Sequence, residues 1–479
     1  MAWLAECTAE QVVVHHGEAV EVGPTFAFEG AWAGPFAEHG FVSSATVVGS
    51  GAALTDEGVL FIPPSHTLEG LYFHAQDGRF TISNSPVFLL EWLGAELRYD
   101  PHLGRRFASA VLGIEGYDRR LLDTDRGRID RLLHDNLLWR PDGTVRKAPK
   151  PVLPPFNDFH GYRGALRDEL AAIFANAADA LRSHRYQPVS TCSSGYDSTA
   201  CLVLARELGC RRAVTLTTAR GGADDSGEAI ADLLGVQLQA FRRMDEAAPS
   251  QAAEFVATGM GGEDVIYAVF EPALVGSVLL TGFHGDKVWS LDATPNAVLA
   301  RGDISGSSMG EFRLRTGFIH LPMPFIGALR HAEIKTISNA PEMAPWAIGG
   351  DYDRPIPRRI AEEAGVPRDA FGMTKKAASM LLFREEEQPA RAEPVAAARQ
   401  LAGLSPGRRA ALVLRERLFR PRLKAAYRLD RMRPRPLAHR LRDVVAADPR
   451  LFEHDRPTAS LDFQTAVAAL RSRYSVAAR

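Results

Sequence analysis

The hydrophobic positions of this 479-residue chain change their period near residue 150. Before that point, short apolar runs alternate with polar residues between Gly and Pro, which is the pattern of β-strands joined by turns. The strands predicted in this way cover residues 11–14, 20–22, 41–48, 59–62, 71–74 and 80–83. Residues 1–150 are therefore predicted to form a β-rich domain.

A different pattern follows four prolines in residues 149–155, which mark a linker. A helix is predicted over 162–184, and strands then alternate with helices. The predicted strands are 189–191, 212–218, 236–241 and 275–281, and the helices between them are 197–208 and 225–234. This alternation predicts an α/β fold, a parallel sheet with helices on both faces.

The chain becomes mostly helical from about residue 313, and residues 401–450 carry 13 Arg and one Lys against four acidic residues. We expect a solvated amphipathic helix or a protein contact there rather than nucleic-acid binding, because aromatic residues are sparse. The domains predicted are a β-rich part (1–150), an α/β part (156–385) and an Arg-rich helical part (386–479).

A run of mostly small residues follows the first strand of the α/β part, in the order Ser193, Ser194, Gly195, Tyr196, Asp197, Ser198. Small side chains let the backbone approach a phosphate, and the helix that starts there offers unpaired N–H groups and the positive end of its dipole. Asp197 is placed to hold a metal ion bound to that phosphate. The alternative is that it is a helix N-cap.

A second group follows the strand predicted at 275–281, with Gly282, His284, Asp286 and Lys287 in a Gly-rich turn. Ligands of α/β sheets bind at the carboxyl ends of the strands, where both groups belong. A magnesium–triphosphate complex takes only one or two protein carboxylates, which Asp197 and Asp286 could supply. Alternatively, Asp286 is a turn residue and His284 is a hydrogen-bonding turn residue instead of a base.

Residues 193–198 resemble the pyrophosphate loop (PP-loop) of the ATP pyrophosphatases, Ser-Gly-Gly-x-Asp-Ser, which asparagine synthetases carry, with Ser194 in place of the first Gly. Residues 281–287 resemble the segment Ser-Gly-Glu-Gly-x-Asp-Glu of asparagine synthetases. Gly282 and Asp286 match that segment, whereas Phe283 and Lys287 replace its two Glu residues. The loss of the first Glu argues against ordinary asparagine synthesis.

Residues 351–360 and 371–377 resemble a basic, proline-punctuated segment of asparagine and β-lactam synthetases that precedes a catalytic Lys. The resemblance implies that Lys375 or Lys376 stabilises charge on the departing pyrophosphate or on the tetrahedral centre. A solvated pair at a helix start is the alternative. The same resemblance places Thr217 among the nucleotide-binding residues and leaves a nucleotide-side role open for Asp225, which also has capping-box spacing to Glu228.

The resemblance implies an ATP- and Mg²⁺-dependent enzyme that adenylates a small carboxylic acid and passes the acyl group to an amine. His284 would be its base. Residue 2 is Ala, where glutamine-dependent asparagine synthetases have the catalytic Cys, so residues 1–150 are expected to be a vestigial glutaminase domain. Two alternatives stay open: a PP-loop enzyme that modifies tRNA, for which Cys192 or the basic tail would matter, and a non-catalytic nucleotide-binding partner.

The composition of the chain indicates where the protein acts and which partners it lacks. The net charge of −2, the apolar fraction of 46% and the lack of a long apolar run favour a globular protein of the cytoplasm without membrane or general nucleic-acid affinity, possibly a homodimer. The four cysteines lack the spacing of zinc or redox pairs and are predicted to be buried thiols. Only seven of the 56 basic residues are Lys, which draws attention to Lys287, Lys375 and Lys376.

Overall fold

The computed structural model describes residues 1–219, 222–244, 249–259, 261–350, 352–373, 405–431 and 448–475. The β-rich part predicted for residues 1–150 is confirmed as two six-stranded antiparallel sheets. Their strands are β1 (Trp3–Cys7), β2 (Val12–His16), β3 (Glu21–Gly23), β4 (Phe26–Trp32), β5 (Val47–Thr55), β6 (Gly58–Ile62), β7 (Leu71–Gln76), β8 (Arg79–Ser83), β9 (Arg120–Thr124), β10 (Gly127–Leu132), β11 (Asn136–Trp139) and β12 (Val145–Ala148).

The strand order is β2-β1-β8-β7-β10-β9 in the first sheet and β12-β11-β6-β5-β4-β3 in the second. Apolar residues from both sheets, including Trp3, Phe61, Phe80 and Trp139, form one buried layer. Helices α1 (Pro86–Leu93) and α2 (Leu103–Ala108) supply apolar side chains that pack with the other face of the first sheet. Alternation of inward and outward side chains explains the period-2 pattern of this region.

The α/β part contains a five-stranded sheet in which each pair of neighbouring strands is parallel. Its strands, in the order β15-β14-β13-β16-β17, are β13 (Gln187–Thr191), β14 (Arg212–Leu216), β15 (Gln237–Phe241), β16 (Ser277–Thr281) and β17 (Ile319–Pro322). The described helices that follow α2 are α3 (Phe159–Ala178), α4 (Tyr196–Glu207), α5 (Glu228–Leu234), α6 (Pro249–Val256), α7 (Glu271–Leu274), α8 (Gly285–Val288), α9 (Gly310–Thr316), α10 (His331–Ser338), α11 (Pro355–Glu363), α12 (Pro406–Arg431), α13 (Pro449–Phe452) and α14 (Ala459–Leu470).

Helices cover both faces of this sheet, as predicted. Val278 and Leu280 of β16 join a core that contains α3 and α4, whereas Leu279 between them joins a core that contains α6 and α9. Successive residues of a strand point to opposite faces, so the two cores lie on opposite sides of the sheet.

Three predicted elements need correction. Phe41, at the start of the predicted strand 41–48, lies in the 3₁₀ turn Gly40–Ser43, where it packs against Phe28 and Trp32. Phe41 is apolar because it belongs to an aromatic cluster, not because it lies in a strand. The helix predicted over 162–184 ends at Ala178, because the residues after it bond to the second sheet, with Arg182 Nη2 donating to the Gly30 carbonyl at 2.6 Å.

The third correction concerns β17, which lies in the stretch predicted to be mostly helical. It pairs with β16 and completes the sheet. None of the described helices is long and apolar enough to cross a membrane.

Candidate functional site

The loops after β13 and β16 meet at the carboxyl edge of the parallel sheet and line a cavity of about 450 Å³. Seven of the predicted site residues line this cavity: Ser193, Gly195, Asp197, Ser198, Gly282, His284 and Asp286. The sequence therefore located the cavity and the two loops that form it. Ser194, Tyr196, Thr217 and Lys287 lie behind or beside the lining residues.

Hydroxyl groups hold the shape of the first loop. Ser193 Oγ accepts from the Gly195 N–H at 3.2 Å and lies 2.8 Å from Ser198 Oγ, and Thr199 Oγ1 donates to the Gly195 carbonyl at 2.8 Å. Gly195 is the N-cap of α4 and makes no side-chain cap hydrogen bond to that helix. The first N–H groups of α4 and its dipole are thus available to an anion, as a phosphate site requires.

Ser194 Oγ donates to the Asp225 carboxylate at 2.7 Å, so the two residues brace the loop from behind. The capping box predicted for Asp225 and Glu228 is wrong, since α5 begins at Glu228 with Gly227 as its N-cap. A short antiparallel bridge between Ser193 and Ser226 holds this segment extended. Asp225 itself lines the cavity, which is the nucleotide-side position left open by the sequence.

Tyr196 lies in the core beneath the loop. Its hydroxyl donates to the Tyr352 carbonyl at 3.1 Å and accepts from Arg358 Nη2 at 2.9 Å, so it ties α4 to α11. This contact gives no support to the predicted nucleotide-binding role of Tyr196. Thr217 lies one residue beyond Leu216, the last residue of β14, and Leu216 lines the cavity in its place.

Two glycines bring the second loop against Asp197. A Cβ atom placed on Gly282 would lie 2.4 Å from Cβ of Asp197, and one placed on Gly285 would lie 2.5 Å from its Oδ1. A side chain at Gly282 would force the backbone of one loop to shift, and a side chain at Gly285 would displace the Asp197 carboxylate. Because these glycines flank the contact, Asp197 and Asp286 line the same cavity although 89 residues separate them.

Lys287 lies beside this cavity, against Gly302. A Cβ atom placed on Gly302 would be 2.4 Å from Cε of Lys287, 3.1 Å from its Nζ and 3.3 Å from Oδ2 of Asp286. The Lys287 ammonium and the Asp286 carboxylate therefore both lie close to Gly302. Lys287 is close enough to the site to add positive charge next to Asp286.

Asp197 forms an ion pair with Arg354, which precedes α11 and lines the cavity. The guanidinium also stacks over the Tyr352 ring, with its carbon 4.9 Å from the ring centroid. Burial lowers the pKa of Arg354, but Asp197, Tyr352 and Asp286 together outweigh that effect and leave the pKa raised. A cation is thus held against the carboxylate predicted to bind a metal.

His284 is buried in the cavity wall in a left-handed conformation with φ of 79°, and its ring stacks on Phe325 at 4.5 Å. Its Nδ1 has no hydrogen-bond partner among the described residues. Burial and the positive charge of Arg301 lower the pKa of His284 well below its usual value. Phe283, where the resemblance expects Glu, packs beside Tyr267 in the same wall, with ring centroids 5.9 Å apart.

Arg301, Gly302, Asp303 and Ser305, in the segment 301–308, line the side of the cavity next to Asp286. Asp264 fixes this segment by accepting from the N–H groups of Gly306 and Ser308, both at 2.9 Å, and from Ser308 Oγ at 2.7 Å. Arg301 lines the cavity from the start of the segment and is only 3% exposed. No sequence pattern marks Arg301, because one Arg among 49 does not stand out.

The residues present fit a magnesium–triphosphate complex in their chemistry. Among the described residues no group of three acidic, His or Cys side chains could enclose a metal ion. Mg²⁺ does not need such a group, because it keeps waters and phosphate oxygens and takes one or two carboxylates. Asp197 and Asp286 would be those ligands. Lys375 and Lys376 lie outside the described residues.

The cysteines are buried and free, as predicted. Cys192 lines the cavity, but its Sγ donates to the Gly227 carbonyl at 3.5 Å. Burial, with a contribution from Asp225, raises the pKa of the thiol to about 12. Cys192 is therefore protonated at neutral pH and is poorly suited to act as a nucleophile.

Neither protein-family models nor curated proteins match this chain. Its function has to be inferred from the chemistry of the cavity.

Proposed function

We propose that this protein is an ATP-dependent ligase, similar to asparagine synthetases, that activates a carboxylic acid as an acyl-adenylate and transfers the acyl group to an amine. The contact of Asp197 with Gly282 and Gly285 carries the proposal. It puts two carboxylates from the ends of adjacent strands into one cavity with the uncapped N-terminus of α4. A phosphate cradle beside two carboxylates is suited to a nucleoside triphosphate and Mg²⁺.

In this proposal Ser193, Gly195 and Ser198 and the first N–H groups of α4 bind the β- and γ-phosphates. Asp197 and Asp286 would hold Mg²⁺, which when bound would supply positive charge to stabilise the pyrophosphate leaving group. The two glycines of the second loop keep the carboxylates close to the phosphates. The fold class, an α/β PP-loop type, is part of the same proposal.

The first step joins a carboxylate oxygen of the substrate to the α-phosphorus. The bond from that phosphorus to the bridging oxygen breaks, and its electron pair leaves with pyrophosphate. Arg354 lines the cavity and Lys287 lies beside it, so both could stabilise this charge, and the resemblance assigns the same role to Lys375 or Lys376. The aromatic wall of Phe283 and Tyr267 would limit the access of water to the acyl-adenylate.

The second step joins the amine nitrogen to the acyl carbon. The bond from that carbon to the adenylate oxygen breaks, AMP leaves with the electron pair, and the nitrogen loses one proton. His284 is our candidate for accepting this proton, because it lines the cavity and its Nδ1 has no partner among the described residues. The products are an amide, AMP and pyrophosphate.

The two alternative functions, modification of tRNA and non-catalytic nucleotide binding, are supported to different degrees. For a PP-loop enzyme that modifies tRNA, the buried, hydrogen-bonded Cys192 argues against sulfur transfer through that thiol and leaves nitrogen transfer open. A non-catalytic nucleotide-binding protein would need the same phosphate loop, so it is separated from the ligase only by assaying turnover.

Isotope exchange between pyrophosphate and ATP, screened over small carboxylic acids, tests the proposal. We expect exchange that depends on one class of acid and on Mg²⁺. Asp197→Asn and Asp286→Asn should each reduce it by at least about a hundredfold, because each removes a negative charge from the metal site.

Asp232→Asn is the matched control, because Asp232 lies on the exposed side of α5 and outside the cavity. It makes the same change of charge and should leave the exchange rate unaltered. Exchange that survives in both site variants would overturn the proposed site. Tight ATP binding without exchange for any acid would favour the non-catalytic alternative.

A further inference from the structure

Arg358 is a fully buried cation on α11 that lies behind the phosphate loop, residues 193–198, and does not line the cavity. Its Nη2 donates to the Tyr196 hydroxyl at 2.9 Å. Its Nη1 donates to the Glu362 carboxylate at 3.1 Å and to the Arg368 carbonyl at 3.0 Å. A buried guanidinium is costly unless its N–H groups find acceptors, so these bonds fix its position. One arginine thus joins α11 to the start of α4 and to the chain that follows α11.

The chain that follows α11 returns to the phosphate loop at Phe371 and Gly372. The buried ring of Phe371 stands edge-on to the Tyr196 ring, with 5.9 Å between their centroids. The guanidinium carbon of Arg358 lies 4.9 Å from the centroid of each of these rings. Arg358 Nη2 also donates to the Gly372 carbonyl at 3.3 Å. A single cation therefore holds residues 371–372 against Tyr196.

Gly372 contacts the backbone of the phosphate loop directly. Its N–H donates to the Ser194 carbonyl at 2.8 Å. A trans peptide group points its carbonyl and its N–H in opposite directions, so this bond directs the N–H of Gly195 away from Gly372. That N–H instead donates to Ser193 Oγ at 3.2 Å, and both Ser193 and Gly195 line the cavity. The orientation of a peptide group at the cavity is thus set from behind by Gly372.

The absence of a side chain at Gly372 permits this close approach. Its φ is 63°, in the left-handed region, and a Cβ atom placed on it would lie 2.4 Å from Cε1 of Tyr196. The Tyr196 ring is fully buried, so it has no free space into which to turn. A side chain at position 372 would therefore force the ring and the segment apart and weaken the bond to Ser194.

We propose that Arg358 and Gly372 are positioning residues of the phosphate loop, and that the docking of residues 371–372 on Ser194 and Tyr196 controls the affinity of the cavity for ATP. This inference rests on the proposed binding of ATP at the loop, and it names the element that regulates it. Energetic coupling of this kind is reciprocal, so bound nucleotide in turn stabilises the docked segment.

Calorimetry on the full chain with Mg²⁺ and α,β-methylene-ATP, an analogue that cannot release pyrophosphate, measures the coupling. We expect Gly372→Ala to bind the analogue about tenfold or more weakly than the wild type, because its methyl group separates the segment from the Tyr196 ring. Gly365→Ala is the matched control, since Gly365 has a φ of 91° but open space around it. It carries the same kind of backbone strain and should keep the wild-type affinity.

Tyr196→Phe tests the same contact with a smaller change, because it removes only the hydroxyl that Arg358 holds. We expect it to lower the affinity for the analogue about fivefold, and Arg358→Lys to do at least as much, since Lys lacks the fork that reaches several acceptors. Tyr474→Phe is the control, because the Tyr474 hydroxyl donates to Glu311 at 2.6 Å outside the cavity. Its loss should lower the melting temperature but leave the affinity unaltered.

Hydrogen exchange followed by mass spectrometry gives the reciprocal readout, which a purely structural role of these residues would not produce. In the wild type, the analogue with Mg²⁺ should slow exchange in peptides that cover residues 364–372 by about tenfold. The same addition to Gly372→Ala should slow that exchange much less. In Gly365→Ala the protection should equal that of the wild type.

The positioning role is overturned if Gly372→Ala and Tyr196→Phe bind the analogue as tightly as the wild type. It is also overturned if the two control variants lose affinity equally, or if the analogue leaves exchange at residues 364–372 unchanged in the wild type.

Pyrophosphate exchange separates this inference from the ligase function. No exchange with any acid, together with tight binding of the analogue that depends on Gly372, would refute the ligase and keep the positioning role. Exchange at the wild-type rate in Gly372→Ala, measured at ATP concentrations below saturation, would keep the ligase and refute the positioning role. A wild-type chain that does not bind the analogue at all would refute both.

Discussion

Asp197 has two prospective partners, the guanidinium of Arg354 and the proposed metal ion. A divalent cation that binds Asp197 must either displace Arg354 or share the carboxylate with it, and the two cations repel each other in a partly buried site. We infer that nucleotide phosphates relieve this repulsion by binding Arg354 and the metal together.

Arg354→Gln tests that competition at the level of one residue. Without nucleotide, the variant should bind Mn²⁺, used as a spectroscopic substitute for Mg²⁺, roughly tenfold more tightly than the wild type. Its affinity for ATP should fall, because a cation of the cavity has been lost. Arg359→Gln on α11 is the control, since Arg359 pairs with Glu363 outside the cavity. Equal Mn²⁺ affinity in wild type and Arg354→Gln would contradict the competition.

Lys150 shows how burial of a single charge makes stability depend on pH. Its Nζ donates to Asn136 Oδ1 at 2.7 Å, and burial lowers its pKa to about 7, with Asp135 only partly opposing this. The unfolded chain has an ordinary Lys pKa of about 10.4, so between these values it binds more protons than the folded chain. The buried charge of Lys150 therefore destabilises the folded chain fully below pH 7, and this destabilisation is lost as the pH rises towards 10.

Lys150→Met should remove this dependence. Its free energy of unfolding, measured in urea, should exceed that of the wild type most at pH 6 and least at pH 10. The gain at pH 6 is reduced by about 1 kcal/mol, because the buried Asn136 loses its donor. If the variant's gain in the free energy of unfolding stays constant or grows from pH 6 to pH 10, burial does not lower the pKa of Lys150.

Among the structural elements, the contact between the loop after β16 and the start of α4 shapes the site. Gly282→Ala would place a methyl group 2.4 Å from Cβ of Asp197, and Gly285→Ala would place one 2.5 Å from its Oδ1. The Gly282 variant forces the two loops apart and the Gly285 variant displaces the Asp197 carboxylate, so we expect each variant to lose ATP affinity by at least about tenfold in calorimetry. Gly164→Ala on α3 has open space around it and should be neutral or stabilising by up to about 1 kcal/mol. Unaltered ATP affinity in both site variants would disprove the role of this contact.

The elements of the parallel sheet were predictable where strands and helices alternate. β13, β14, β15 and β16 were placed within about two residues, because short apolar runs between turn residues define buried strands. β17 has four residues and ends in Pro322, so its sequence carries no comparable signal.

The site could be predicted only as far as its two strand-following loops. Their place at the carboxyl edge follows from the topology, which is why Asp197 and Asp286 were expected to share a cavity. Arg301 and Arg354 reach the cavity from segments whose position depends on tertiary packing. No local pattern marks them, and Arg354 was noted only as part of a basic stretch.

At the scale of the whole molecule, buried polar contacts join the β-rich part to the cavity. Arg313 Nη1 donates to Glu29 at 2.8 Å, and its Nε is 2.8 Å from a Glu69 carboxylate oxygen. His320 of β17 lies 3.7 Å from Glu69 and 2.8 Å from Oγ1 of Thr281, which lines the cavity. The β-rich part therefore contacts α9 through Glu29 of β4, and it contacts both α9 and β17 through Glu69 in the loop between β6 and β7, whether or not it has an activity of its own.

Helix α14 joins the same two parts from the C-terminal side. Phe463 is fully buried, and its ring centroid lies 5.3 Å from that of Phe107 on α2. It belongs to a core that includes Leu279 of the parallel sheet. Phe463→Ala should cost about 3–5 kcal/mol, because it leaves a cavity in a core shared by all three parts of the chain.

If that core unites the parts, Phe463→Ala must destabilise them together. Hydrogen exchange followed by mass spectrometry at increasing urea should show β5 and β16 losing protection at the same midpoint, lower than in the wild type. Gln464→Ala, a half-buried neighbour on α14 whose side chain bonds only to Ser460 among the described residues, should leave both midpoints nearly unchanged. Should β5 keep its wild-type midpoint while that of β16 falls, the β-rich part would fold independently.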